Sequence, residues 1–303
     1  MNKSHNRLNT LRRIVDRVYV GRFIRLIAVC TAALNFILLY KIKFFWWRLQ
    51  IGVDSNFQKT SKEEILKFLN RIKLKSSGHE LIRIGPLDDG GYVLPDDLEG
   101  IAINFSPGVG PVVGFEVALA DMGIESFMID ASVSGPPIQN TKFFFEKKYL
   151  GANTHGDFIS LAEWVSAAEA GRVQSGDYIL SMDIEGGEYE VLSSLEYGTL
   201  NRFRIVVIEF HDLHLISEVN FCRQLDSIFE KLLSKYVIVN IHANNNAPII
   251  RYKGIKIPPV LELTFLRKDR IRGLVPAAEP NLELNKKNNR FLPDVTLPVI
   301  WFS

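Results

Sequence analysis

The chain has 303 residues, of which 47% are hydrophobic and 23% charged, and its formal net charge is +2. That length and apolar content suffice for one sizeable core with appendages, so a single catalytic domain is expected. The near-balanced charge, with no basic helix carrying interleaved aromatics, argues against a nucleic-acid partner, and two cysteines, Cys30 and Cys222, argue against a disulfide framework.

Residues 1–25 form a basic tail containing Arg12, Arg13, Arg17, Arg22 and Arg25. Leu26 to Tyr40 is apolar except for Thr31 and Asn35, and Phe44, Phe45, Trp46 and Trp47 extend the pattern past Lys41 and Lys43. Lysines near a helix end snorkel and tryptophans favour the interface, so residues 26–47 reach the length of about twenty residues that a bilayer requires. The reading is a single-pass membrane anchor; an uncleaved signal-like segment and an amphipathic surface helix are the alternatives. The arginines before the run outnumber Lys41, Lys43 and Arg48 after it, which favours a cytoplasmic N-terminus and a catalytic domain on the far side. A peripheral segment with a cytosolic domain is the other arrangement.

Residues 48–79 read as a connector with one helix. Ser61-Lys-Glu-Glu64 is a capping box, and Ile65, Phe68, Leu69 and Ile72 follow at helical spacing. Leu81–Ile84 and Tyr92–Leu94 flank Gly85-Pro-Leu-Asp88-Asp89-Gly90-Gly91, which predicts a hairpin that either covers a sheet edge or binds substrate. Ile101–Ser106 then reads as a strand, Gly108-Val-Gly110 as a loop, the stretch through Glu116 and Ala120 as a helix, and Ser126–Asp130 as a strand ending in an acid. That acid stands about twenty residues past the glycines, the spacing at which a carboxylate holds a ribose.

Lys142–Leu150 predicts one short strand, and Glu163–Glu169 a helix ending at Gly171, with the aromatics of this region assigned mainly to core. Ile179-Leu-Ser-Met-Asp183-Ile-Glu185-Gly186-Gly187-Glu188 carries the sharpest signal: a buried run that ends abruptly in carboxylates and glycines, as a parallel strand does when it delivers acids to a cleft. Phe203–His211 is a second such strand. A helix over about residues 217–235, strands over Tyr236–His242 and Pro259–Phe265, and an Asn-, Pro- and Lys-rich tail with Thr296–Phe302 as a capping strand complete the chain.

The motifs Asp89-Gly-Gly-Tyr-Val93, Ser106-Pro-Gly-Val-Gly110, Leu180-Ser-Met-Asp-Ile-Glu-Gly-Gly-Glu-Tyr-Glu-Val-Leu192 and Ile208-Glu-Phe-His211 together resemble the FkbM-like branch of class I S-adenosylmethionine-dependent methyltransferases. The resemblance spans residues 80 to 268 and implies a Rossmann-like α/β fold. Its seven-stranded, mostly parallel sheet has an antiparallel last strand, here within a methyltransferase domain over 80–270 followed by an extension over 271–303. It implies S-adenosyl-L-methionine as cofactor and O-methylation of a sugar, glycolipid or other small hydroxylated acceptor. Ser106, Gly108, Gly110, Asp130, Asp183 and Glu185 are assigned to the cofactor, and the loop near Gly151 to Asp157 to adenine. One departure is Ser106, which stands where most class I methyltransferases carry an acid.

Methyl transfer from a sulfonium needs an aligned nucleophile and a proton acceptor. His211 is the first candidate for the base because histidine titrates near neutrality, with Asp183 and Glu209 beside it. A divalent cation on Asp183, Glu209 and His211 is a variant, but no close spacing such as His-x-x-x-His occurs and no metal is assigned. Glu188 is assigned to capping the following helix. The rival reading is a non-catalytic, membrane-anchored Rossmann module that binds a nucleotide or sugar nucleotide. Val113, where a dinucleotide fingerprint places glycine, weighs against a dinucleotide.

Overall fold

The computed structural model describes residues 58–170, 176–273 and 279–303. The apolar run at 26–47 lies outside them, and among the described residues no helix is long and apolar enough to cross a membrane.

Five parallel strands form the centre of the molecule. They are β3 (Ile101–Pro107), β4 (Glu125–Ile129), β5 (Phe143–Glu146), β8 (Asp177–Met182) and β9 (Phe203–Phe210). Two more, β10 (Tyr236–Ala243) and β13 (Leu261–Arg267), complete a seven-stranded sheet in the order β10-β13-β9-β8-β3-β4-β5. β13 alone runs antiparallel to both its neighbours, so the expected mostly parallel sheet with an antiparallel last strand is present. The inner strands β8 and β9 are mainly apolar, as expected of parallel strands buried on both faces. Every residue of β9 is buried, and Phe105 on β3 meets the rings of Trp164, Tyr178 and Phe203 at 5.0, 5.4 and 5.8 Å.

The covering helices are α1 (Lys62–Leu69), α2 (Gly114–Asp121), α3 (Leu161–Glu169), α4 (Glu188–Ser194), the short α5 (Tyr197–Leu200) and α6 (Val219–Lys235). The capping box of α1 is complete: Glu64 N donates to Ser61 Oγ at 3.1 Å and Ser61 N to Glu64 Oε2 at 2.8 Å. Its Phe68 packs edge-on against Phe229 of α6, at 5.1 Å. Small sheets flank the main one: the expected hairpin β1 (Leu81–Ile84) with β2 (Tyr92–Pro95), the pair β6 (Tyr149–Gly151) with β7 (Phe158–Ser160), and β11 (Ile250–Tyr252) with β12 (Ile255–Ile257). Residues Phe57–Ser303 cluster as one compact unit.

Two local expectations are corrected. Lys142–Leu150 is not one strand: Lys148 N turns back to Glu146 O at 3.0 Å, so β5 joins the main sheet while β6 pairs with β7. Thr296–Phe302 is not a strand either. Pro298 lacks the ladder donor, Trp301 N bonds Pro298 O at 2.9 Å, and a 3-10 turn over Val299–Trp301 sinks the indole under β12, where Nε1 donates to Lys256 O at 2.8 Å.

Candidate active site

Strand order reverses at β3, whose chain continues to β4 on one side and returns as β8 on the other. Ligands of open α/β sheets bind beyond the carboxyl ends at such a switch point. Here those ends are bound tightly together. Gly108 N donates to Ile129 O at 3.0 Å and Asp183 N to Pro107 O at 3.4 Å. Gly108 has φ +89°, and a Cβ there would fall 1.7 Å from Asp183 O, so only glycine lets the loop after β3 lie against the end of β8.

A cavity of about 500 Å³ opens over this junction, within the range of small-molecule sites. Gly108, Val109, Gly110, Asp130 and Ser132 form one wall, Asp183, Ile184, Glu185 and Gly187 another, and Tyr149, Leu150 and Phe158 an apolar end. Asp130 is held in place by its own loop: Oδ2 accepts from Val109 N at 3.0 Å, and Oδ1 from Ser132 N and Oγ at 2.7 and 2.6 Å. The Tyr149 and Phe158 rings lie 5.4 Å apart, each with 39% of its surface exposed.

Behind the acidic wall stands His211, just past the end of β9. Its Nδ1 pairs with Glu188 Oε1 at 3.0 Å. Its Nε2 faces Glu185 Oε2 at 3.5 Å, Asp183 Oδ1 at 3.7 Å and Glu209 Oε1 at 3.9 Å. Burial disfavours the imidazolium, but the hydrogen bond and charge of Glu188, with Asp183 and Glu185, outweigh it and raise the His211 pKa to about 9. Burial lifts Asp183 to about 7 against the opposing pull of His211, with Glu185, Asp89 and Glu188 adding to the rise. Burial and the neighbouring Asp183 and Glu262 also push Glu209 well above the usual carboxylate range.

The acidic row continues along the sheet. Glu209, Glu262 and His242 occupy facing positions on β9, β13 and β10. Asn244 Nδ2 donates to Glu209 Oε1 at 2.6 Å. Asn288, from the C-terminal segment, donates to Glu262 Oε1 at 2.6 Å and to Asp89 Oδ1 at 3.1 Å, and its Oδ1 pairs with His242 Nε2 at 3.2 Å.

Residues 168–236 match the family model of the methyltransferase FkbM domain. That segment contains β8, the Asp183–Glu188 loop, β9 and His211, the part of the chain on which the sequence resemblance rests most. No curated protein matches the chain at a significant level. A chain of the crystal structure of a fibrillarin/Nop5p complex aligns with a TM-score of 0.34 at 12% identity, covering 56% of this chain and 74% of that one, too slight a likeness to argue from.

Of the residues assigned from sequence, Gly108, Gly110, Asp130, Asp183 and Glu185 line the cavity, while His211 and Glu209 stand behind it. Ser106 is off the wall: its Oγ donates to the buried Glu116 Oε1 at 2.6 Å, so a carboxylate from α2 lies beneath the loop where the strand itself offers a hydroxyl. Three acids at or beside the site carry no site role in the sequence. Glu188 read as a helix cap because it opens α4, Asp89 read as hairpin turn, and Glu262 is one acid in an apolar strand. Only their convergence in space distinguishes them.

Proposed function

We propose that this chain is an S-adenosylmethionine-dependent methyltransferase that transfers a methyl group to a hydroxyl of a sugar, glycolipid or other small hydroxylated acceptor, tethered to a membrane through residues 26–47. The observation that carries it is the cavity, framed by Asp130 on one side and by Asp183 and Glu185 on the other, at the switch point of the sheet and against the segment that matches the methyltransferase FkbM domain. When bound, the cofactor supplies a sulfonium methyl group, whose bonding pair stays on sulfur as the methyl leaves for the acceptor oxygen.

The chain's own groups fit that chemistry. Asp130, oriented by Val109 N and by Ser132 N and Oγ, has one of its roughly four acceptor sites left, on Oδ2, for a ribose hydroxyl. Tyr149 and Phe158 offer ring faces for adenine at the apolar end. Asp183 and Glu185 face the cavity and are the carboxylates in reach of an acceptor hydroxyl proton, whereas His211, off the wall, is a positioning residue that holds both. The row of Asp89, Glu209, Glu262 and asparagines nearby suits an acceptor rich in hydroxyl donors.

Calorimetry of the full-length chain against S-adenosylhomocysteine tests the reading. One site is expected, with Asp130→Ala weakening it about ten-fold through loss of a charged hydrogen-bond partner. A folded chain that gives no heat with S-adenosylhomocysteine, or that binds a sugar nucleotide instead, overturns it.

A further inference from the structure

The two ends of the parallel sheet treat their acids differently. At the amino end, Asp97 and Asp177 are each bonded to arginines, Arg204 and Arg270 for the first and Arg204 and Arg267 for the second. At the carboxyl end Asp183, Glu185, Glu188 and Glu209 share the single imidazole of His211. Among them Glu188 has no exposed surface, yet its Oε2 has no hydrogen-bond partner; the buried Oδ1 of Asp183 has none either, although it faces His211 Nε2 at 3.7 Å. A buried carboxylate oxygen left without a donor is costly unless a positive group meets it. Asp183, Glu188 and His211 each offer one ligand atom within 4.8 Å of the others.

We propose that Asp183, Glu188 and His211 bind one divalent cation beside the cavity. Two carboxylates and one imidazole are hard-to-borderline donors suited to Mn²⁺, Mg²⁺ or Zn²⁺, and three protein ligands leave positions open for an oxygen of the acceptor. Glu188 takes the place that the metal variant considered from sequence gave to Glu209. Glu209 instead spends an oxygen on Asn244, at 2.6 Å. The chemical role rests on the proposed methyltransferase reading. An acceptor hydroxyl oriented by the cation gives up its proton more readily. The O–H bond breaks, the proton passes to Glu185, the O–CH₃ bond forms, and the sulfur keeps the electron pair of the broken S–CH₃ bond.

The test needs neither cofactor nor acceptor, so its failure and that of the S-adenosylhomocysteine titration are separate results. Full-length chain stripped with a chelator is titrated with Mn²⁺, and free Mn²⁺ is read from its electron paramagnetic resonance signal. One saturable site is expected. Asp183→Asn and His211→Gln, each checked for folding by circular dichroism, should weaken it by about ten-fold or more. The exposed control Asp121→Asn should leave it unchanged. Asp183 is over a third exposed, so its variant remains informative even where a buried substitution does not fold. Absence of saturable uptake by the folded wild-type chain at millimolar Mn²⁺, or uptake that survives both ligand variants, overturns the proposal.

Discussion

A carboxylate without exposed surface has to be matched atom by atom, and Glu188 is matched on one oxygen only. Oε1 accepts from Ile184 N and Gly186 N, each at 3.2 Å, as well as from His211 Nδ1. One side chain therefore shapes the loop after β8 and sets which face His211 turns to the cavity. The loop needs such a clamp because Glu185 sits at φ +54°, a left-handed conformation that costs a side-chain-bearing residue about 1–2 kcal/mol. Glu188→Ala leaves two loop amides and an imidazole nitrogen without their acceptor, so it should lower unfolding free energy by about 3 kcal/mol, measured by urea denaturation. A cost near zero would mean that the carboxylate does not hold the loop. Nothing in the local sequence marks this role. An acid in the first turn of a helix is ordinary capping chemistry, and its partner His211 lies twenty-three positions away, just past the next strand.

The elements most legible in the sequence are those whose periodicity and burial agree. β8 and β9 are buried, mainly apolar runs, and α6 presents Leu225, Ile228, Phe229 and Leu232 on one buried face. The capping box of α1 is a local signal and is formed as written. Illegible are the segments shaped by distant partners. The chain between β5 and β7 turns at Lys147-Lys148 without glycine or proline, and its aromatics, assigned to core, are brought to the cavity by a two-stranded pairing that no periodicity encodes. The pair gives the proposed adenine end its test. Tyr149 and Phe158 are partly exposed, so truncating either should leave the fold intact. If both rings flank adenine, Tyr149→Ala and Phe158→Ala should each weaken S-adenosylhomocysteine by about ten-fold, from lost stacking and apolar area. Unchanged affinity in both variants would move adenine elsewhere along the cavity.

At the scale of the whole molecule, the sheet separates stability from chemistry by its two ends. Asp97 is buried at the amino end, where Arg270 Nε and Nη2 donate to its two oxygens at 2.7 and 2.6 Å, while Arg204 bridges to Asp177 at 2.8 Å. Arg267 joins the same network from the end of β13, so the strands β8, β9 and β13 and the loop after β2 are tied at one edge by charge. Burial opposes ionisation of Asp97 and Asp177, but the arginine hydrogen bonds and charges outweigh it and hold both acids below their ordinary value of 3.8. A folded-state pKa below the unfolded one means that the stabilisation is complete above the unfolded value and is lost as pH falls through the folded one. The urea midpoint should therefore hold down to about pH 4 and decline below it. Asp97→Asn keeps the shape but removes the charge between two arginines, so it should cost about 3 kcal/mol at neutral pH and make the decline below pH 4 shallower. A variant that loses stability with an acid limb as steep as that of the wild type would locate the acid sensitivity in other carboxylates. The same ion pairs fix β8, β9 and β13 at the end opposite to Asp183, Glu209 and Glu262, where burial instead raises the carboxyl pKa values, so charge is concentrated at the end that holds the frame and reduced at the end that faces the cavity.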